Sequence, residues 1–350
     1  MLQIASADWD LLVRQARHAG LLARLNLRAE ELGIAESLPE AARAHLVSAG
    51  LHARAQADEA RREIRHIQNA LAELGAPVIL LKGAAYLMAG HSPAAGRTFS
   101  DVDILVPKAA LARAESALLF HGWVTTHRSA YDQRYYREWM HELPPLEHMR
   151  RGTVLDVHHN ILPEVARQRV PADKLIAASI SLPGDTGLGV LAPEDMLLHS
   201  MVHLLHNEEM GRGLRDLSDL DLMLREFCGR PDFWERLTTR ARELGLERVL
   251  YYGLSQAHGL LGTPVPEHVL TDASIGAPSL PVRRLMAAAW SRALGPLHAS
   301  ATDGLTSAAL ALVFLRAHWL RMPAPLLARH LATKAWKRLT HSEGARNATP

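Results

Sequence analysis

The run Phe99-Ser100-Asp101-Val102-Asp103-Ile104-Leu105-Val106 constrains this chain more than any other stretch. Its apolar residues read as a short β-strand with a buried end. Side chains alternate faces along a strand, so Asp101 and Asp103 point the same way. Two like charges that close are costly unless a cation lies between them. The fold must therefore present both carboxylates at one strand mouth and supply the compensating charge there.

A second acidic strand fits the same demand. Thr153-Val154-Leu155-Asp156-Val157-His158 has β character, with Asp156 and His158 on one face. Upstream, Pro77-Val78-Ile79-Leu80-Leu81-Lys82-Gly83 is an apolar strand ending in glycine, and Ala84 to Met88 reads as helix. A strand–glycine–helix turn offers free backbone N–H groups and a helix N-terminus, which favour phosphate. A carboxylate pair beside such a cradle suits one or two Mg²⁺ ions and a bound triphosphate.

Size and composition set the frame. The chain has 350 residues, enough for two or three domains, with 48% hydrophobic and 22% charged residues, ordinary for a globular protein. A formal net charge of +2 gives no large basic field, and no basic stripe interleaves with aromatics, so nucleic acid is not the expected partner. The single cysteine, Cys228, has no internal disulfide partner, which points to a reducing, cytoplasmic location. Asp8 and Asp10 speak against a secretory leader. Leu305 to Leu315 is too short to span a bilayer before Arg316 and reads as a buried helix, so no transmembrane segment is expected.

Periodicity divides the chain into three parts. Residues 1–75 read as helical, with a helix start near Ser37-Leu38-Pro39-Glu40 and a stop at Gly75. Residues 76–190 carry short β-type runs at 77–81, 101–106, 122–127, 143–149 and 153–159, with a helix over Lys108 to Phe120. A turn at Met149–Gly152 would deliver Asp156. Residues 191–340 return to helix, starting at Pro193-Glu194-Asp195, with a proline- and glycine-rich linker or loop at 264–282. The expected class is α+β, a mixed sheet flanked by N-terminal and C-terminal helical regions.

At these residues the chain resembles a nucleotidyltransferase of the DNA polymerase beta superfamily, and more narrowly its uncharacterised bacterial nucleotidyltransferases. The residues that carry the likeness are Leu81-Lys82-Gly83-Ala84-Ala85, Arg97, Ser100 to Val106, Leu155-Asp156-Val157-His158 and Leu191 to His199. The resemblance implies a polymerase-beta-like core and Mg²⁺-dependent transfer of a nucleoside monophosphate from an NTP, ATP by analogy, to an acceptor hydroxyl. It implies Asp101, Asp103 and Asp156 as metal ligands and catalytic residues, with Asp156 binding a metal or taking the proton. Lys82, Gly83, Arg97 and His158 would serve the nucleotide. The superfamily's usual Gly-Ser turn is here Gly83-Ala84, without the serine hydroxyl.

Other readings stay open at this level. Arg97 could pair with a carboxylate, and His158 could be structural. Arg215, Asp216 and Asp219 could reach the cleft, and read by default as a helix–helix salt-bridge network. The acceptor is a small molecule, a peptide or a protein. One alternative is a catalytically weak nucleotide-binding or regulatory protein on the same fold. Another is a metallohydrolase using His199, His203 and His206, which share a helical face.

Overall fold

The structure is a computed structural model that describes residues 6–125, 129–184 and 187–329. The N-terminal part is helical: α1 (Ser6–Ala19), α2 (Leu22–Glu31) and α3 (Glu40–Ala70). Buried Ala42, Leu46, Gly50, Ala53, Ala60, Ile64 and Ile67 form one apolar stripe along α3. The chain then alternates between strand and helix through β1 (Val78–Leu81), α4 (Lys82–Ala89), β2 (Asp101–Leu105), α5 (Leu111–Phe120) and β3 (Trp123–Thr125). It continues through α6 (Ala130–Arg134), β4 (Leu146–His148), β5 (Val154–His158), α7 (Ala172–Ala177), β6 (Ile180–Ser181) and β7 (Leu188–Val190). Helices α8 (Pro193–His206), α9 (Gly213–Phe227), α10 (Phe233–Glu243), α11 (Glu247–Leu261), α12 (Glu267–Ala273), α13 (Leu280–Ala293) and α14 (Thr306–Arg321) complete it. The protein is an α+β fold with helical flanks on both sides of a mixed sheet.

The sheet runs β3-β4-β5-β2-β1-β7-β6. Strand β1 lies antiparallel to β2 and parallel to β7, while β2 lies parallel to β5. All four residues of β1 are buried, as expected for a central strand covered on both faces. One hydrophobic core continues from Ile64 and Ile67 of α3 through the sheet to Val313 of α14. Among the described residues, no helix is long and apolar enough to cross a membrane.

Three sequence expectations need correction. Residues 264–282 are not a linker: they form α12 and the start of α13. Val265, Val269 and Ala273 repeat every four residues and are buried, and Pro266 and Pro281 initiate helices rather than break them. Residues 305–315 fall largely within α14, but that helix is only half-buried. Ala309, Val313 and Ala317 face the core, while Leu315 and Trp319 are exposed. Strands β6 and β7 were not expected, because two or three residues around Gly189 carry no readable alternation. The run expected at 122–127 is ordered as β3 over 123–125, and residues 126 and 127 lie outside the described residues, as do 330–340 of the expected C-terminal region.

Candidate active site

Register brings the acids together. In the parallel β2–β5 pair, Asp103 stands beside Asp156 and Asp101 beside Val154. Neighbours in register share a face, so all three aspartates project to one side of the sheet. One carboxylate oxygen from each of Asp101, Asp103 and Asp156 lies within 4.8 Å of the others. Asp103 is buried, Asp156 half-buried and Asp101 nearest to solvent.

Lys82 supplies the counter-charge. It follows the last residue of β1, Leu81, which pairs with Asp103 across the antiparallel ladder. Its Nζ lies 2.6 Å from Asp103 Oδ1. Lys82 also has φ +47°, a left-handed conformation that costs a non-glycine residue about 1 kcal/mol or more. That turn converts strand β1 into helix α4 within one residue and keeps the ammonium beside the acids.

His158 completes the group from the far end of β5. Its Nε2 lies 3.1 Å from Asp103 Oδ1, and its Nδ1 lies 3.2 Å from Glu142 Oε2. Burial alone would raise the Asp103 pKa, but Lys82 and His158 outweigh it and hold that carboxyl well below its usual range. Burial would likewise depress Lys82 and His158. Asp103 reverses the sign at both, with Glu142 helping at His158, and both pKa values rise.

Asp156 is the opposite case. Burial, reinforced by the neighbouring Asp103 charge, pushes its carboxyl up to about 7. Its Oδ1 is buried and has no hydrogen-bond partner. Three carboxylates, one buried oxygen without a partner and a single close lysine make an oxygen-rich group short of positive charge. Such a donor set fits a hard divalent cation.

Gly83 and Arg97 build the floor beneath this group. A Cβ at Gly83 would lie 2.4 Å from the Arg97 guanidinium and 3.2 Å from the Phe99 ring. Arg97 is itself held by Asp219 of α9, with Nε donating to Oδ2 at 2.9 Å. Asp219 also accepts from Arg24 at 2.8 Å. Arg97 thus has Asp219 as its carboxylate partner. Asp219 holds it behind the turn, and its pKa is raised because that ion pair outweighs burial. Of the helix–helix network read from Arg215, Asp216 and Asp219, Asp219 bridges α9 to Arg24 of α2, whereas Arg215 pairs with its neighbour Asp216 on the same helix and lines a cleft.

Two clefts are lined by neighbouring residues here, one by Asp101 and the other by Ser100. One, of about 270 Å³, is lined by Lys82, Asp101, Asp156 and His158, by His141 and Glu142, and by histidines of α8. Burial keeps His199 and His203 well below the usual histidine range, so both are neutral. Among the described residues His199, His203 and His206 do not converge into a metal-ligating group, which removes the basis for the metallohydrolase reading. His206 instead turns its Nδ1 to the Val202 carbonyl at 3.1 Å. The second cleft, of about 540 Å³, reaches Ser100 and is lined by Arg17, Arg212, Arg215, His45 and His52, with no carboxylate.

Sequence reading missed His141, Glu142 and this arginine cleft. Glu142 joins the site only because it bridges His158 across an antiparallel contact. The cleft draws its cations from α1, α3 and the approach to α9. Neither has a local sequence signature.

No curated protein and no solved structure matches the chain. A family model does: the one described as an uncharacterised nucleotidyltransferase matches residues 5–262. The strand-borne acids and the turn at Lys82-Gly83 lie inside that span, and the chain belongs to this family of nucleotidyltransferases.

Proposed function

We propose that the protein moves a nucleoside monophosphate from an NTP, with ATP the first candidate, to a hydroxyl on a small molecule, a peptide or a protein. The observation that carries this reading is the convergence of Asp101, Asp103 and Asp156 on one face of adjacent strands. These three carboxylates would hold Mg²⁺. When bound, the metal supplies charge stabilisation at the phosphates and lowers the pKa of an acceptor hydroxyl.

The chain's own groups have distinct tasks. Asp156 would either ligate the metal that activates the acceptor hydroxyl or, where it is left free of metal, take the acceptor's proton, a role that its raised pKa suits. As that proton leaves, the acceptor oxygen bonds to the α-phosphorus and pyrophosphate departs. Lys82 sits close enough to move from Asp103 to a phosphate oxygen when the carboxylate finds another cation. His158 orients Asp103 through its Nε2. Arg97, held by Asp219 against Gly83, would brace the turn that faces the phosphates. The carboxylate-free cleft beyond Ser100 is suited to an acceptor that carries an anionic group.

The test is a labelled-NTP panel with Mg²⁺, reading pyrophosphate release and mass shifts on candidate acceptors. Transfer supports the enzyme. Nucleotide binding without pyrophosphate release would instead support a nucleotide-sensing protein on the same fold.

A further inference from the structure

The segment before β4 runs beside β5 and is fixed to it by backbone hydrogen bonds. Leu143 N donates to Val157 O at 2.8 Å, and His159 N donates to His141 O at 2.8 Å. Glu142 and His158 are direct antiparallel partners, so their side chains share a face. One ring nitrogen of His141, one carboxylate oxygen of Glu142 and one ring nitrogen of His158 lie within 4.8 Å of one another. The two imidazole rings are 5.3 Å apart and tilted by 33°.

Two ring nitrogens in this group are buried and have no hydrogen-bond partner: Nδ1 of His141 and Nδ1 of His158. The His158 side chain is only 5% exposed. Its Nδ1 is 3.2 Å from Glu142 Oε2, yet the pair is not aligned as a hydrogen bond. Two buried nitrogens without partners in one side-chain group are costly. A proton shared with Glu142 would not remove the cost at His141.

We propose that His141, Glu142 and His158 form a second cation site, separate from the three aspartates, for a borderline divalent ion of the Zn²⁺ type. Two imidazoles and one carboxylate suit such an ion, whereas Mg²⁺ takes oxygen ligands. Tetrahedral bonds of about 2.0–2.1 Å place neighbouring donors roughly 3.4 Å apart, close to the His158–Glu142 spacing. The opposite nitrogen of His158 faces Asp103 Oδ1. Carboxylate, imidazole and metal in that order is the arrangement that fixes a ligating histidine's tautomer. Three protein ligands leave a fourth position open. All three residues line the cleft that holds Lys82 and Asp156, so that position faces the reacting groups and would take an oxygen donor from a substrate. The site does not depend on nucleotide transfer being the reaction.

The test uses metal-stripped full-length protein titrated with Zn²⁺ alone by calorimetry, with Co²⁺ absorption as a report of ligand type. One tightly held equivalent is expected in the wild type. Glu142→Gln and His141→Ala should each weaken it by about tenfold or more, while Asp101→Asn retains it. Absence of stoichiometric Zn²⁺ binding, or wild-type affinity in both cleft variants, would overturn the site. Loss in Asp101→Asn with retention in Glu142→Gln would assign the ion to the aspartates and overturn it too. If a variant does not fold, ring ¹⁵N shifts of wild-type His141 and His158 on adding Zn²⁺ decide the matter. Both should move, and unchanged shifts overturn the proposal.

Discussion

Asp103 and Asp156 stand side by side in register on parallel strands and are driven to opposite protonation states. Asp103 has Lys82 and His158 to stabilise its charge, whereas Asp156 has burial and the Asp103 charge against it. The pair is an asymmetric dyad in which one carboxylate is held ionised and the other is pushed toward its protonated form.

The first prediction concerns pH. With Asp156 near 7, divalent binding at pH 6 must displace a proton, so Mg²⁺ affinity should fall by about tenfold between pH 8 and pH 6. The Asp156 pKa is raised above its unfolded value, so its protonated form favours the fold. That contribution is lost as pH rises from the unfolded carboxyl range through 7. His158, also raised, acts with the same sign as pH passes through its folded pKa. Relative to Asp156→Asn, metal-free wild type should therefore lose stability between pH 6 and pH 8, because the buried histidines of lowered pKa act with the opposite sign in both proteins, and Mg²⁺ should reduce that loss. Thermal melts of wild type and Asp156→Asn, with and without chelator at both pH values, check this, and an identical pH dependence in the two metal-free proteins would remove the raised Asp156 pKa.

Removing Lys82 leaves Asp103 with only a histidine as counter-ion. Lys82→Ala should destabilise the metal-free protein by about 3 kcal/mol, the usual cost of orphaning one partner of a buried ion pair. Mg²⁺ should recover part of that loss, because it neutralises the same carboxylate. Urea denaturation with and without Mg²⁺ measures both quantities.

Gly83 is required for space. Gly83→Ala places a methyl group against a guanidinium that Asp219 holds in place, so stability should fall by about 1–3 kcal/mol. Nucleotide transfer should fall with it, since the displaced turn carries Lys82. Denaturant melts paired with the transfer assay check this, and wild-type values for both would remove Arg97 as the floor of the site.

Arg212 lines the second cleft and not the first. Its guanidinium makes one long contact, 3.4 Å to Thr98 Oγ1, and burial together with Arg215 lowers its pKa. Arg212→Ala should raise the KM for an anionic acceptor by about tenfold and leave NTP affinity unchanged. Steady-state kinetics in each substrate read the split.

The parts of this site that a sequence reveals are those written in strand alternation. Asp101, Asp103, Asp156 and His158 announce their faces by period two, and the turn after Leu81 places Lys82. Their convergence still needed the β2–β5 register, which alternation alone does not fix. Partner choice was illegible. Arg97 has an acid four residues away at Asp101, yet it pairs with Asp219 from a helix more than a hundred residues later. Glu142 enters through a single bridge with no pattern of its own. The prolines of 264–282 were legible as punctuation, but helix starts and linkers share that punctuation, and only the burial of Val265, Val269 and Ala273 separates them.

If the three strand-borne aspartates hold divalent cations, electron paramagnetic resonance of added Mn²⁺ will report it. Wild type should bind Mn²⁺, Asp101→Ala and Asp156→Asn should lose about 100-fold or more in affinity, and Glu142→Gln should retain Mn²⁺ at the aspartates. Wild-type stoichiometry and affinity in both aspartate variants would contradict the account.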